Sequence, residues 1–118
     1  MDKMLKVYGI KNCDTVRKAL KWLDENHINH EFQDFRKDPV SEENVKAWDE
    51  AVGRAKLVNK RGTTYRKLEG AEKEILEGET PYLALRENPT LMKRPIFDDG
   101  ARILVGFTDA EKQALLEG

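Results

Sequence analysis

The stretch from Leu5 to Phe35 constrains the fold more than any other, because its hydrophobic pattern changes period twice. Met4-Leu-Lys-Val-Tyr8 reads as a short strand, and Gly9 follows where the backbone turns sharply or admits a ligand closely. From Asp14 onward, Val16, Ala19, Leu20 and Leu23 form one stripe of an amphipathic helix. Arg17, Lys18 and Lys21 lie outside that stripe and Trp22 lies beside it. Residues 28–35, around Phe32, read as a second strand. A strand, a helix and a strand in this order make a βαβ unit, whose right-handed crossover leaves the two strands parallel.

The only cysteine, Cys13, stands where the first strand turns into the helix, in Lys11-Asn12-Cys13-Asp14-Thr15. A thiol at a helix start meets amides with no intrahelical partner and the positive end of the macrodipole, and both favour thiolate. Lys11 adds a positive charge two residues earlier. Free cysteine is also among the most buried residue types, so the residues alone leave two readings open: a reactive thiol, or a small core hydrophobe.

The length of 118 residues fits one domain, 1–118, able to bury about two-thirds of its unfolded surface without disulfides. With 21 basic against 22 acidic residues there is no global field to attract nucleic acid or an anionic membrane. One cysteine makes no internal bridge, and no apolar run is long enough to span a bilayer or serve as a signal peptide. The expected location is therefore the cytoplasm, where thiols stay reduced.

Past Asp38-Pro39, Ser41 is placed to cap a helix carrying Val45, Trp48 and Val52, which Gly53 ends. A basic, irregular segment follows from Leu57 to Leu68, and Thr80-Pro81 restarts a helix that runs to Asn88-Pro89. Residues 39–90 are thus a helical insertion. Lys93-Arg94-Pro95 leads into Ile96-Phe97, Asp99-Gly100 signals a hairpin, and Ile103-Leu-Val105 returns antiparallel. Thr108 and Glu111 form a capping box for a last helix with Ala110, Ala114 and Leu115 near its inner face.

This order, with Tyr8-Gly-Ile-Lys-Asn-Cys13 followed after a long insertion by Lys93-Arg-Pro-Ile96, resembles the ArsC-like arsenate reductase family, which includes the Spx regulators, and within it the YffB-type branch. The resemblance implies an α/β, thioredoxin-like (glutaredoxin-like) fold: a four-stranded mixed sheet with an inserted helical subdomain. It implies that Cys13 is a nucleophile that attacks an oxyanion or a disulfide and is resolved by glutathione and glutaredoxin-type partners. It also implies that Pro95 is cis and packs against the thiol, and that Arg94 holds the anion through its planar fork. A surface role for Arg94 is the other reading.

Three departures narrow the chemistry. Where family arsenate reductases carry another oxyanion arginine, this chain has Leu57-Val-Asn59-Lys60-Arg61, with Lys60 or Arg61 as substitutes in a shifted register. A further arginine expected after the hairpin is replaced by Leu104-Val-Gly106-Phe107, with Arg102 nearby. Val16 stands where many Spx regulators have the second cysteine of C-x-x-C, so an external thiol must complete any turnover.

His27 and His30 have no further Cys or His near them in sequence, which argues against a metal site, and His27 suits the carboxyl end of its helix. The cluster Lys56, Lys60, Arg61, Arg66 and Lys67 around Tyr65 reads either as an anion or glutathione-carboxylate site or as a solvated face. The expected function is a glutathione-dependent thiol or oxyanion reductase with no tightly bound cofactor. Cys13 and Arg94 are its catalytic groups, and Lys11, Asn12, Asp14, Thr15, Lys60, Arg61, Arg94 and Pro95 line its ligand site. The alternatives are a true arsenate reductase and an Spx-like module that docks RNA polymerase without turnover.

Overall fold

A computed structural model of the chain describes residues 4–117. The chain divides into two compact units, one made of Met1–Phe35 with Arg94–Gly118 and the other of Arg36–Lys93. The second unit extends a few residues beyond each end of the expected insertion, 39–90.

In the first unit, β1 (Leu5–Gly9), β2 (His30–Asp34), β3 (Ile96–Asp98) and β4 (Ile103–Val105) form one sheet. Its order is β2-β1-β3-β4. β1 and β2 are parallel, with Leu5 opposite His30 and Gly9 opposite Asp34, as the βαβ pattern requires. β3 runs antiparallel to β1, and β4 antiparallel to β3. The mixed sheet follows from the connections: a helix carries the chain between the parallel strands, and a hairpin joins the last pair.

Helix α1 (Asp14–Glu25) buries Val16, Ala19 and Leu23. Ala19 and Leu23 meet Leu5 and Val7 of β1, Phe97 of β3 and Leu115 of the last helix in one apolar cluster, with Leu20, Trp22, Phe32 and Phe107 at its margin. Trp22 meets Phe107 edge-on at 5.6 Å between ring centres. The helix ends in a Schellman motif: the Ile28 amide donates to Leu23 O at 2.9 Å and the His27 amide to Asp24 O at 3.1 Å. His27 occupies the left-handed position at φ 55. The Asp99-Gly100 signal marks a hairpin turn in which the Asp99 carboxylate accepts from the amides of Ala101 and Arg102.

The final helix, here numbered after those of the second unit, is α7 (Asp109–Glu117). Glu111 accepts from the Thr108 amide at 2.8 Å and from its hydroxyl at 2.7 Å, the glutamate's half of the expected box. Leu115 is buried, but Ala110 is exposed and Glu111 takes the inner position, because its carboxylate must fold back onto Thr108.

In the second unit, Ser41 caps α2 (Glu42–Val52) by accepting from the Asn44 amide at 3.1 Å. Gly53, at φ 89, ends it in a conformation that costs other residues free energy. A single-turn helix, α3 (Arg54–Leu57), leads into the segment expected to be irregular, Leu57 to Leu68, and that segment contains a second, α4 (Thr63–Arg66). A helix with no clear sequence signal, α5 (Gly70–Glu77), starts at a capping box of Glu69 and Glu72. α6 (Tyr82–Glu87) begins one residue later than expected, with Pro81 rather than Thr80 at its cap.

Arg54 ties these pieces together. Its guanidinium donates to both Asp49 oxygens, at 3.0 and 2.9 Å, and to the carbonyls of Leu76 and Gly78. Tyr82 donates its hydroxyl to the same carboxylate at 3.1 Å. The hydrogen bond from Arg54 is the main reason Asp49 titrates below the usual carboxylate range.

Candidate functional site

The thiol turn begins where β1 runs out. Gly9 is the last strand residue, and an added Cβ there would stand 2.7 Å from Cγ2 of Val16. The neighbour that crowds Gly9 is therefore the Val16 side chain of helix α1, where the sequence had suggested a ligand. The chain reverses over Ile10–Cys13, with the Cys13 amide donating to Ile10 O at 3.1 Å. Cys13 then serves as N-cap in extended backbone, φ −97 and ψ 123, and its carbonyl accepts the first helical bond from Arg17 at 3.0 Å.

Cys13 is half-buried and free. Burial pushes the thiol up, but the Val16 amide, the Arg94 guanidinium acting through a hydrogen bond and its charge, and the Thr15 amide outweigh that and bring it below the ordinary cysteine value. No side-chain hydrogen bond of ordinary geometry caps the helix here. The Val16 and Thr15 amides act on the sulfur as hydrogen-bond donors that favour its charged form.

Arg94 follows the second unit directly in sequence and precedes β3. The Arg94–Pro95 peptide bond is cis, as the resemblance implied. Pro95 is buried and its carbonyl accepts from the Gly106 amide at 2.9 Å, which fixes the start of β3 against the end of β4.

The other expected site residues divide by position. Thr15 reaches the thiol through its amide. Lys11 does not join the charges that lower the thiol; its amide donates to the Asp34 carboxylate at 3.1 Å. Asn12 is exposed and its carbonyl accepts from Arg17 at 3.5 Å, while Asp14 pairs with Arg17 at 3.3 Å in the first turn. Lys60 and Arg61 are exposed and belong to the second unit. There Lys60 reaches Glu77 at 3.8 Å beside a cavity of about 390 Å³ lined by Val58, Tyr65 and Leu76 among others. Arg102 is engaged structurally: it donates to Asp99 at 3.2 Å and to Ala114 O at 3.0 Å. Among the described residues no group of three or more His, Cys, Asp or Glu is placed to hold a metal.

Asp34 escaped sequence reasoning because it sits at the end of a strand candidate, and the pattern gives no sign that its carboxylate reaches back to Lys11. The parallel register, once known, puts it opposite Gly9 and beside the turn.

The ArsC family model matches residues 8–115. A protein of Haemophilus influenzae is 46% identical over 111 residues, covering 94% of this chain and 97% of that protein. The global transcriptional regulator Spx 1 of Bacillus cereus is 29% identical over 115 residues, covering 96% of this chain and 87% of the regulator. A solved YffB protein matches with a TM-score of 0.87 at 35% identity, covering 96% of this chain and 99% of that one.

Proposed function

This chain is an arsenate-reductase-like member of the ArsC family with a thioredoxin-like fold, and we propose that it is a glutathione-dependent thiol reductase with Cys13 as nucleophile. The observation that carries this reading is the thiol at the start of α1, drawn below its ordinary pKa by two amides and Arg94.

The Cys13 thiolate attacks one sulfur of a disulfide substrate. The substrate S–S bond breaks, its other sulfur leaves as a thiolate and takes a proton from solvent, and Cys13 is held in a mixed disulfide. A glutathione thiolate then attacks Cys13, releasing the second substrate thiol and leaving glutathione on the protein. A second glutathione, or a glutaredoxin, attacks that glutathionyl sulfur and frees Cys13 as thiolate. Two electrons pass from two glutathione molecules to the substrate. With a single cysteine in the chain, no internal disulfide can replace the second thiol. Arg94 holds the thiolate before attack and the anionic ligand beside it. The engagement of Arg102 with Asp99 and Ala114 favours disulfide substrates over arsenate, since it occupies the arginine nearest the post-hairpin position.

The test is to incubate the reduced protein with oxidised glutathione, read intact mass, and then add reduced glutathione with glutaredoxin. One glutathionyl group on Cys13, absent in Cys13→Ser and removed in the second step, is the expected result. A wild-type protein that acquires no adduct overturns the proposal.

A further inference from the structure

Between Gly9 and Cys13 the chain leaves the sheet, and the hydrogen bonds there show what sends it off. In the parallel pairing of β1 with β2, the amides of alternate β1 residues donate to β2 carbonyls, and β2 amides return the bond. The Leu5 amide donates to Asn29 O at 3.3 Å, and at the other end the Phe35 amide donates to Gly9 O at 3.0 Å. Continuing the ladder by one step would send the Lys11 amide to the Phe35 carbonyl. It goes instead to the Asp34 carboxylate at 3.1 Å. A side-chain oxygen thus stands in for the next backbone acceptor, the strand ends, and the chain is free to close the Ile10–Cys13 turn.

We propose that Asp34 is a positioning residue for the Cys13 thiol: by accepting the Lys11 amide in place of a ladder carbonyl, it sets the turn that aims the sulfur at the Thr15 and Val16 amides and at Arg94. The proposal rests on the reading of Cys13 as the reactive group. Asp34 touches no reacting atom. Its proposed effect passes through the bond from the Lys11 amide and a turn of four residues, closed by the bond from the Cys13 amide to Ile10 O. The task needs a short side chain with an acceptor oxygen, because the residue sits directly opposite Gly9 in the register. Asn keeps that acceptor and removes the charge, and Ala removes both.

The experiment measures the rate of Cys13 alkylation by iodoacetamide against pH in wild type, Asp34→Asn and Asp34→Ala, with folding checked by near-ultraviolet circular dichroism. Wild type and Asp34→Asn are expected to share a low apparent pKa. Asp34→Ala is expected to alkylate about three- to ten-fold more slowly at pH 6, because below the pKa the thiolate fraction falls tenfold per unit of upward shift. A folded Asp34→Ala with the wild-type profile overturns the proposal while leaving Cys13's own role intact. A wild-type thiol with an ordinary pKa would instead sink the reading of Cys13. If Asp34→Ala does not fold, hydrogen exchange of the Lys11 amide in wild type and Asp34→Asn decides. Protection in both is expected, and rapid exchange in the wild type overturns the proposal.

Discussion

The thiolate of Cys13 is favoured by the Val16 and Thr15 amides and by one side chain, Arg94, whose removal is measurable. Arg94 is the only side chain among those acting on the thiol, so Arg94→Ala should raise the apparent pKa of alkylation from its wild-type value toward about 8.5. The sign follows from the chemistry: losing a cation and a donor disfavours the thiolate. A pH–rate profile unchanged by Arg94→Ala would remove the arginine from the site. Lys11→Ala, by contrast, should leave the profile where it is, because Lys11 serves the turn through its amide. At the other end of the same helix, His27 adopts φ 55 without the freedom of glycine. His27→Gly should stabilise the protein by about 0.5–1 kcal/mol, read from urea unfolding, since a non-glycine residue in this region carries a steric cost of that order. The sequence placed Cys13 at a helix start because strand and helix periods meet there. It did not reveal the left-handed role of His27, because a histidine after a helix reads equally well as a charge partner for its carboxyl end.

At the scale of elements, short-range chemistry was legible and long-range chemistry was not. Ser41, Gly53, the Asp99-Gly100 turn and the Thr108–Glu111 box each act within a few residues, and each does what its residue type predicts. Helix α5 escaped because its cap is Glu69, outside the usual Ser, Thr, Asp and Asn, and because Leu76 is its only buried residue. Ala110 was placed inward on composition, whereas the capping carboxylate of Glu111 occupies that face. The contact of α1 with β1 is also an element-scale fact. Gly9→Ala would set a Cβ 2.7 Å from a stiff, fully buried valine, so strand and helix must part. The expected cost is about 1–3 kcal/mol in chemical denaturation. A slower alkylation of Cys13 at pH 6 should accompany it, because the shifted helix start carries the Thr15 and Val16 amides away from the sulfur. A Gly9→Ala protein as stable as wild type would show that the helix yields freely.

Across the whole molecule, the two units draw on different forces. The first is held by an apolar cluster of strand and helix residues that hydrophobic periodicity largely predicts. The second combines buried Trp48, Leu57 and Leu85 with the Arg54–Asp49–Tyr82 network, in which Asp49 and Arg54 lie five residues apart across the end of α2 while Tyr82 joins from 33 residues away, beyond any local pattern. Asp49 is held below its unfolded value, chiefly by its hydrogen bond to Arg54. Its contribution to stability is therefore complete above the unfolded carboxylate range, about pH 4, and lost as pH falls through the folded value. The chain has two tryptophans, and Trp48 lies in the second unit. In a Trp22→Phe background the urea midpoint read at Trp48 should fall on acidification. Asp49→Asn should lower it already at pH 7, matching a loss of about 2–3 kcal/mol in unfolding free energy given the partial exposure of Arg54, and flatten the acid loss. Equal acid sensitivity in both proteins would show that Asp49 is not the group responsible. Val16, fully buried against Gly9, has a consequence of a different kind. It fills with packing the place from which a second sulfur would act, so the protein retains no record of its last encounter once its partner leaves. Under the proposed glutathione-dependent function it would work as a conduit and not as a reservoir, with the ratio of reduced to oxidised small thiols around it setting how often Cys13 stands ready.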